Sequence, residues 1–480
     1  MATIADPAFA AASAQPATEL FGQPKGLWVL AGTELWDRIS FHGMQAMLVL
    51  YMTGDLLIHP ERVRMIIGFG GYRNLVEGMV GPLTDTALAT QTFGFYLAFV
   101  TGLPLLGGWI GDKFTGRRIA VGLGASLMTA GHFFMAFDAT FLIALVLLMT
   151  GAGFLRGNLS AQIKSLYADG DSREINAFQY YYLAVNIGAF IAPLVTSTVA
   201  AFYGWHAGFG VAGVGMLIGL TIYLIGARHL PADGGRRAVA DPAAATGKLD
   251  ALQKRRILGL LLLWPVSVAF WTAQAQIWNV YNVWVRDHVN MRVGSFDVPV
   301  PYLQSLDGLA PAIFIPVSLW MWARMARSGN EPDEFTKLSI GAMLFGLSVA
   351  LLATGPLFGS GRAPIMLPIM FHVFSNFAAV WFAGVMLAVF ATRAPVQWRG
   401  TLVGVNALAV SAASLISGRM GSMYETMTPT AFWLLNAVIC FAAGFYLLLM
   451  RGFYRRMLAR ENAEDTMPLP PKEETAVVAG

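Results

Sequence analysis

Glu34-Leu35-Trp36-Asp37-Arg38 stands inside a long apolar run from Gly26 to Met52, and the reading of these five residues decides the fold. Glu34, Asp37 and Arg38 fall at i, i+3 and i+4, so a helix through them carries two carboxylates and a guanidinium on one face. Leu27-Trp28-Val29-Leu30 before them and Met44 to Tyr51 after them are the residues of a bilayer-spanning helix. Ionisable groups at that depth are costly, face a cavity and mark function. The competing reading is an interfacial helix with a solvated charged face. The rest of the chain decides between the two.

Outward from this stretch, the 480 residues are 56% apolar and only 12% charged, with a mean hydropathy of +0.58. A soluble domain carries about twice that charge. At about 1.5 Å of rise per residue and ~20 residues per crossing, the length accommodates about twelve helices joined by short loops. The chain is therefore expected to be an all-α polytopic membrane protein. The net charge of +4 then reports topology, and nothing points to nucleic acid. Cys440 is the only cysteine and lies in an apolar run, which excludes an intrachain disulfide and a thiolate metal cluster. The sequence holds no metal-binding His pair at helical spacing, no G-x-S-x-G elbow and no nucleotide loop. No cofactor, no metal and no enzymatic activity are expected.

The hydrophobic pattern predicts spans over 27–53, 83–112, 117–137, 139–165, 174–200, 205–228, 255–285, 303–326, 335–357, 364–391, 397–423 and 429–452. A polar-apolar stretch with Arg62, Arg64, Arg73 and Glu77 reads as a short extramembrane helix between the first two. The longest polar gap, 229–254, holds Gly234-Gly235-Arg236-Arg237 and separates six spans from six. The expected organisation is a flexible tail 1–26, a six-helix bundle 27–228, a cytoplasmic linker 229–254, a second six-helix bundle 255–457 and a flexible tail 458–480. The Ala-rich start has no basic n-region, so it does not read as a cleaved signal. With both termini inside, about 23 Lys and Arg lie on the cytoplasmic side against about six outside. Two six-helix halves around a midplane cavity is the layout of many secondary transporters.

Within that frame, Arg156 is the second intramembrane cation after Arg38. Two guanidinium forks suit an anionic or zwitterionic solute through carboxylate capture. Glu34 and Asp37 beside Arg38 suit proton coupling: protonating a carboxylate frees Arg38 for substrate, and deprotonation restores the internal pair. A buried ion-pair network that only fixes helix register is the bland alternative. Asn186, midway along an apolar helix, must bond either to substrate or to a neighbouring helix. Tyr180 to Tyr182 can be interfacial belt residues. Asp112, Lys113, Arg117 and Arg118 crowd a tight turn between two spans, where they can latch one conformation. His42, His132 and His372 are each flanked by apolar residues and read as packed or hydrogen-bonded.

Five stretches in chain order resemble the proton-dependent oligopeptide transporter family of the major facilitator superfamily. Glu34 to Met44 is like its E-x-x-E-R-F-x-Y-Y-G-M, and Pro104 to Arg118 fits its second-to-third-helix signature without a gap. Gly153-Phe-Leu-Arg156-Gly-Asn158-Leu-Ser160 is like G-x-F-K-P-N-I-S. Phe178 to Pro193 is close to the fifth-helix signature, and Ala394 to Gly404 is like the entry into the eleventh. The resemblance implies a major facilitator fold and import of di- and tripeptides with protons, by a monomer in the bacterial inner membrane surrounded by lipid. It implies proton coupling at Glu34, Asp37 and Arg38, and substrate contacts at Arg38, Arg156, Asn186, Tyr181, Gln276, Asp307 and Asn376.

The departures from the pattern bear on substrate. Asp37 is one methylene shorter than the usual Glu, Phe41 and His42 stand where the family has two tyrosines, and Arg156 replaces a lysine. Phe270-Trp271-Thr-Ala-Gln274-Ala275-Gln276 lacks the family's seventh-helix glutamate. Gln304-Ser-Leu-Asp307-Gly308 places a carboxylate where Asn-Pro is common, and Ser375-Asn376 stands where the tenth helix carries a glutamate. Two alternatives follow: the same fold and coupling with a different carboxylate-bearing solute, or a sensor that binds without transporting.

Overall fold

The structure, a computed structural model, describes residues 19–168, 171–231, 249–359 and 362–459. The two expected tails beyond 19 and 459, and most of the expected linker, lie outside the described residues. Twelve long helical segments follow the predicted spans: Lys25–Tyr51, Asp85–Ile110, Arg117–Phe134, Phe141–Leu159, Arg173–Tyr203, Trp205–Gly226, Ala251–Ala275, Ser305–Arg327, Glu334–Leu352, Met366–Arg393, Arg399–Gly421 and Pro429–Met457. Ten of them are long and apolar enough to cross a membrane by length and composition. The first and third are the exceptions, because the first carries Glu34, Asp37, Arg38, His42 and Gln45 and the third opens on Arg117-Arg118. Both are packed among the others. The first is buried along most of its length.

Local chemistry marks the ends. Thr84, Asp333 and Thr428 each accept a hydrogen bond from the backbone N–H three residues on, and Asp250 with Gln253 forms a reciprocal cap at the start of the seventh span. The stretch between the first two spans forms two short helices, Pro60–Met65 and Phe69–Val80, rather than one. Gly68, at φ +79°, turns the chain between them, a conformation that suits glycine.

The seventh span departs from expectation. Sequence predicts one helix over 255–285, but the α-helix stops at Ala275, a tight turn covers Gln276–Trp278, and a second helix runs from Val280 to His288. Asn279 sits at the break with φ −110° and ψ −107°, outside the helical region. The Asn279 and Asn282 side chains donate to carbonyls of the first half, Thr90 O at 3.3 Å and Ala46 O at 3.4 Å. The break is marked in the sequence by polar residues, with Gln276, Asn279 and Asn282 interrupting the apolar run, but these do not by themselves place a bend.

The halves meet along two seams. Gly94 of the second span lies against Gly418 and the Ser414 carbonyl of the eleventh, and Ser411 Oγ donates to Ala98 O at 2.6 Å. Gly308 of the eighth lies against Ala189 and Phe190 of the fifth, so closely that a Cβ on Gly308 would stand 2.3 Å from the Phe190 nitrogen. Backbone-to-backbone approach of this kind requires glycine. At the end of the bundle carrying Thr53, Thr84 and Thr198, further bonds cross between halves: Arg286 to Thr53 Oγ1 at 2.9 Å, Thr198 with Tyr302 at 2.6 Å, and Thr84 with Glu425. At the opposite end, three charged groups among the described residues pair within their own half. Arg173 pairs with Asp171 and Glu19, Arg393 with Glu334, and Arg455 with Asp333. One end is thus tied shut across the seam, and the other is not tied by these pairs.

Candidate functional site

The first-span charges meet the fourth and fifth spans in one buried cluster. Arg38 Nε donates to Glu34 Oε1 at 2.6 Å, one helical turn away, and stands 3.7 Å from Asp37 Oδ2. Asp37 is wholly buried and is gripped from the fourth span by Arg156, with Nε to Oδ2 at 3.0 Å and Nη2 to Oδ1 at 3.3 Å. The Arg156 guanidinium also lies 4.0 Å over the Phe41 ring, a cation–π contact that replaces part of its lost hydration. Tyr181 of the fifth span donates its hydroxyl to Glu34 Oε2. Two carboxylates and two guanidiniums sum to zero charge. The closed quartet is the state in which four buried charges compensate one another.

Gly188 makes this geometry possible. A Cβ there would stand 2.6 Å from Arg38 Cβ and 2.8 Å from the Leu35 carbonyl. The fifth span therefore approaches the first at the level of Arg38 and brings Tyr181 over Glu34. Its backbone identity, and not its chemistry, positions the site.

The remaining expected residues are distributed differently. Asp307 and Asn376 form a second group in the other half: Asn376 Nδ2 donates to Asp307 Oδ1 at 2.6 Å and to His372 O at 2.8 Å, while His372 Nδ1 lies 2.8 Å from the same Asp307 oxygen. Asn186 donates to Tyr182 O of its own helix at 2.7 Å. Gln276 is fully buried at the seventh-span break; its Nε2 donates to Ser417 O of the eleventh span at 3.1 Å, and its Oε1 has no partner among the described residues. Asp112, Lys113 and Arg117 do not bridge the halves. Arg117 bonds Asp112 at 2.6 Å and Ala161 O at 3.2 Å, and Lys113 sits 5.3 Å over Trp109, all within the first half. Arg118 donates to Ala227 O at 2.7 Å. These contacts brace the second-to-third turn against the fourth and sixth spans. The reason is geometric: Gly116, at φ +83°, folds the turn back on its own bundle.

Sequence reasoning passed over two contributors. Phe41 was expected only as a departure from a tyrosine pair, yet its ring forms the floor under Arg156. His372 reads from sequence as packed or hydrogen-bonded with no partner named, and its partner in the structure is Asp307. An aromatic three residues from Arg38 and a His four residues before Asn376 are signals of helical adjacency, but the partner lies on another helix in each case. Outside the spans, the Arg173 side chain and then its backbone N–H hold the Asp171 carboxyl below the usual carboxylate range.

Twelve spans in two abutting halves, tied at one end and enclosing a compensated charge quartet, define a secondary transporter of the alternating-access kind. The chain belongs to the POT family, whose model matches residues 118–242 and 243–434. It is similar to the peptide transporter YePEPT of Yersinia enterocolitica, with 26% identity over 91% of this chain and 96% of that one. It is likewise similar to a di-/tripeptide transporter of Lactococcus lactis, with 24% identity over 90% and 96%, and to an uncharacterized transporter, YclF, of Bacillus subtilis, with 25% identity over 92% and 96%. Among solved structures, a POT peptide transporter in complex with sulfate superposes with a TM-score of 0.78 at 25% identity, covering 95% of this chain and all of that one. A point variant of such a transporter in complex with alafosfalin gives 0.79 at 25% identity and the same coverage. The chain is an integral membrane protein of the major facilitator fold.

Proposed function

We propose that this chain is a proton-coupled symporter that imports di- and tripeptides by alternating access. The observation that carries the reading is the neutral quartet of Glu34, Asp37, Arg38 and Arg156. With both acids ionised, each guanidinium is occupied by a carboxylate. A proton on Asp37 leaves Arg156 with a free fork and the site with one net positive charge, which a peptide carboxyl terminus neutralises. A proton on Glu34 does the same for Arg38. Substrate and proton thus bind together because neither leaves the buried site electrically balanced alone. Similarity to transporters of short peptides supports the cargo.

The basic residues near the helix ends support an orientation with the untied end, which carries Arg173, Arg393 and Arg455, in the cytoplasm. The conformation is then inward-facing, in a bacterial inner membrane. Residues 27–228 and 255–457 move as two bodies about the Gly94–Gly418 and Gly308–Phe190 contacts.

A non-peptide carboxylate as cargo is the second reading. It is favoured by Gln276, which is engaged with Ser417 where an acid for a peptide amino terminus would be expected. The test is a competition series against labelled dipeptide in proteoliposomes, with free carboxylates, amidated dipeptides and N-blocked dipeptides. Competition that needs both a free carboxyl and a free amine supports peptide. Competition by simple carboxylates as strong as that by unlabelled dipeptide overturns it in favour of the second reading.

A further inference from the structure

The eighth and tenth spans hold a carboxylate and an imidazole that the first-span mechanism does not use. His372 is wholly buried, its Nδ1 is 2.8 Å from Asp307 Oδ1, and Asn376 Nδ2 donates to the same oxygen at 2.6 Å. The other oxygen, Asp307 Oδ2, is buried with no protein partner among the described residues, as are His372 Nε2 and the hydroxyl of Tyr281. Tyr281, on the helix beyond the seventh-span break, sets its ring edge-on to His372 with centroids 5.2 Å apart. Three titratable side chains therefore share one enclosed spot, each with an unused polar atom.

Among the described residues, no Lys or Arg is ion-paired with them. Ala189 and Phe190 of the fifth span, which pack on the neighbouring Gly308, are apolar. The ninth span carries only Glu334 and Lys337, both in its first turn at the opposite end, where they pair with Arg393 and Glu331. Asn282 and Gln304, bonded to each other nearby, are neutral. The electrical state of the pair therefore depends on protons alone. With one proton shared between the carboxylate and the imidazole it is neutral, and without that proton it is a net negative charge enclosed in the membrane.

We infer that Asp307 and His372 form a second proton-binding site, in the second half of the molecule, that carries one coupling proton per cycle in addition to that of the first-span acids. The inference rests on the symport reading above. Its position gives it leverage, because Gly308, next to Asp307, is where the eighth span touches the fifth across the seam. One proton enters the pair while the site faces outward, crosses with it, and leaves to cytoplasmic water when the site is hydrated. The pair then returns without that proton and takes the next one when the site again faces outward.

Two measurements on the full-length protein test this. In proteoliposomes, the membrane potential at which a fixed dipeptide gradient produces no net flux gives the proton-to-peptide ratio. Asp307→Asn and His372→Gln are expected to lower that ratio by one wherever dipeptide flux persists, and Glu34→Gln is expected to act separately. An unchanged ratio in both variants overturns the proposal. Should a variant fail to exchange, infrared difference titration of the bilayer-reconstituted wild type against His372→Gln reads the site without transport. An imidazolium band paired with a carboxylate change, absent in the variant, supports the pair; identical titrations overturn it. Wild-type protein that ignores peptides but shows that band would fail the symport reading and keep the proton site.

Discussion

Replacing Asp37 by Asn keeps the side-chain shape and removes the carboxylate that holds the Arg156 fork. In the wild type, a substrate carboxylate can take that fork only after Asp37 gives it up. The grip consists of two charge-assisted hydrogen bonds at 3.0 and 3.3 Å, between groups whose side chains are 10% and 0% exposed, so solvent screens it little. Taking the low end of about 1.5 kcal/mol for each bond to a charged group, releasing both costs about 3 kcal/mol. At 1.4 kcal/mol per decade this weakens peptide binding about 100-fold when Asp37 is ionised, relative to when it is protonated. Asp37→Asn is locked in the second condition. It is expected to bind dipeptide at pH 8 about 100-fold more tightly than the wild type, with a smaller change between pH 5.5 and 8 than the wild type shows, and to lose gradient-driven accumulation. The assay is calorimetric titration of the purified protein at both pH values, beside uptake into proteoliposomes. The variant also leaves Arg156 with Phe41 as its main remaining partner, so its thermal midpoint should fall. A folded variant that binds more weakly than wild type, and with the same pH dependence, would refute the reasoning, because Asp37 would then not compete with substrate for Arg156.

Other consequences follow from the same contacts. Gly188→Val drives a side chain into the space where Arg38 Cβ and the Leu35 carbonyl lie, and is expected to abolish peptide binding while expression and oligomeric homogeneity persist; normal binding would contradict the role given to that close approach. Cysteines at Thr84 and Glu425, whose side chains meet across the halves at the tied end, should stop uptake when bridged by a short methanethiosulfonate cross-linker and recover it with reductant, since native Cys440 is buried elsewhere. Uptake that is indifferent to that cross-link would mean this end need not open. The Arg173 pairing depresses the Asp171 carboxyl, so its contribution to stability is present above the usual carboxylate range and lost only as pH falls through the lowered value. Asp171→Asn should therefore leave the uptake profile between pH 5.5 and 8 unchanged, and a shifted midpoint there would assign it a coupling role.

The fold was largely legible in the sequence because the bilayer imposes a strong length requirement on apolar runs: ten helices meet it outright, and the first and third are apolar runs interrupted by charges. The seventh-span break was not, because polar residues such as Gln276, Asn279 and Asn282 are as compatible with a continuous cavity-facing helix as with a bend. At the site, the Glu34 to Arg38 pairing is an i, i+4 contact and follows from helical spacing alone. The Asp37 to Arg156 pairing spans 119 residues and depends on how the first and fourth spans rotate toward each other. Gln276 and Asn186 are polar groups in apolar helices, and sequence could not say whether each would be satisfied by substrate or by backbone. Their amides bond Ser417 O and Tyr182 O. Asp307 and Asn376 were visible as isolated departures, but their common partner His372 joins them only when the eighth and tenth spans pack.

The central claim is that proton and peptide enter together through the first-span acids. Simultaneous recording of labelled dipeptide uptake and internal pH in proteoliposomes, under an imposed inward proton gradient, tests it most directly. Wild-type protein should concentrate dipeptide above the external level and acidify the interior in proportion, with both signals abolished by an uncoupler, and Glu34→Gln should accumulate nothing while still exchanging peptide at equilibrium. Dipeptide accumulation without internal acidification, or undiminished accumulation by Glu34→Gln, would contradict the account.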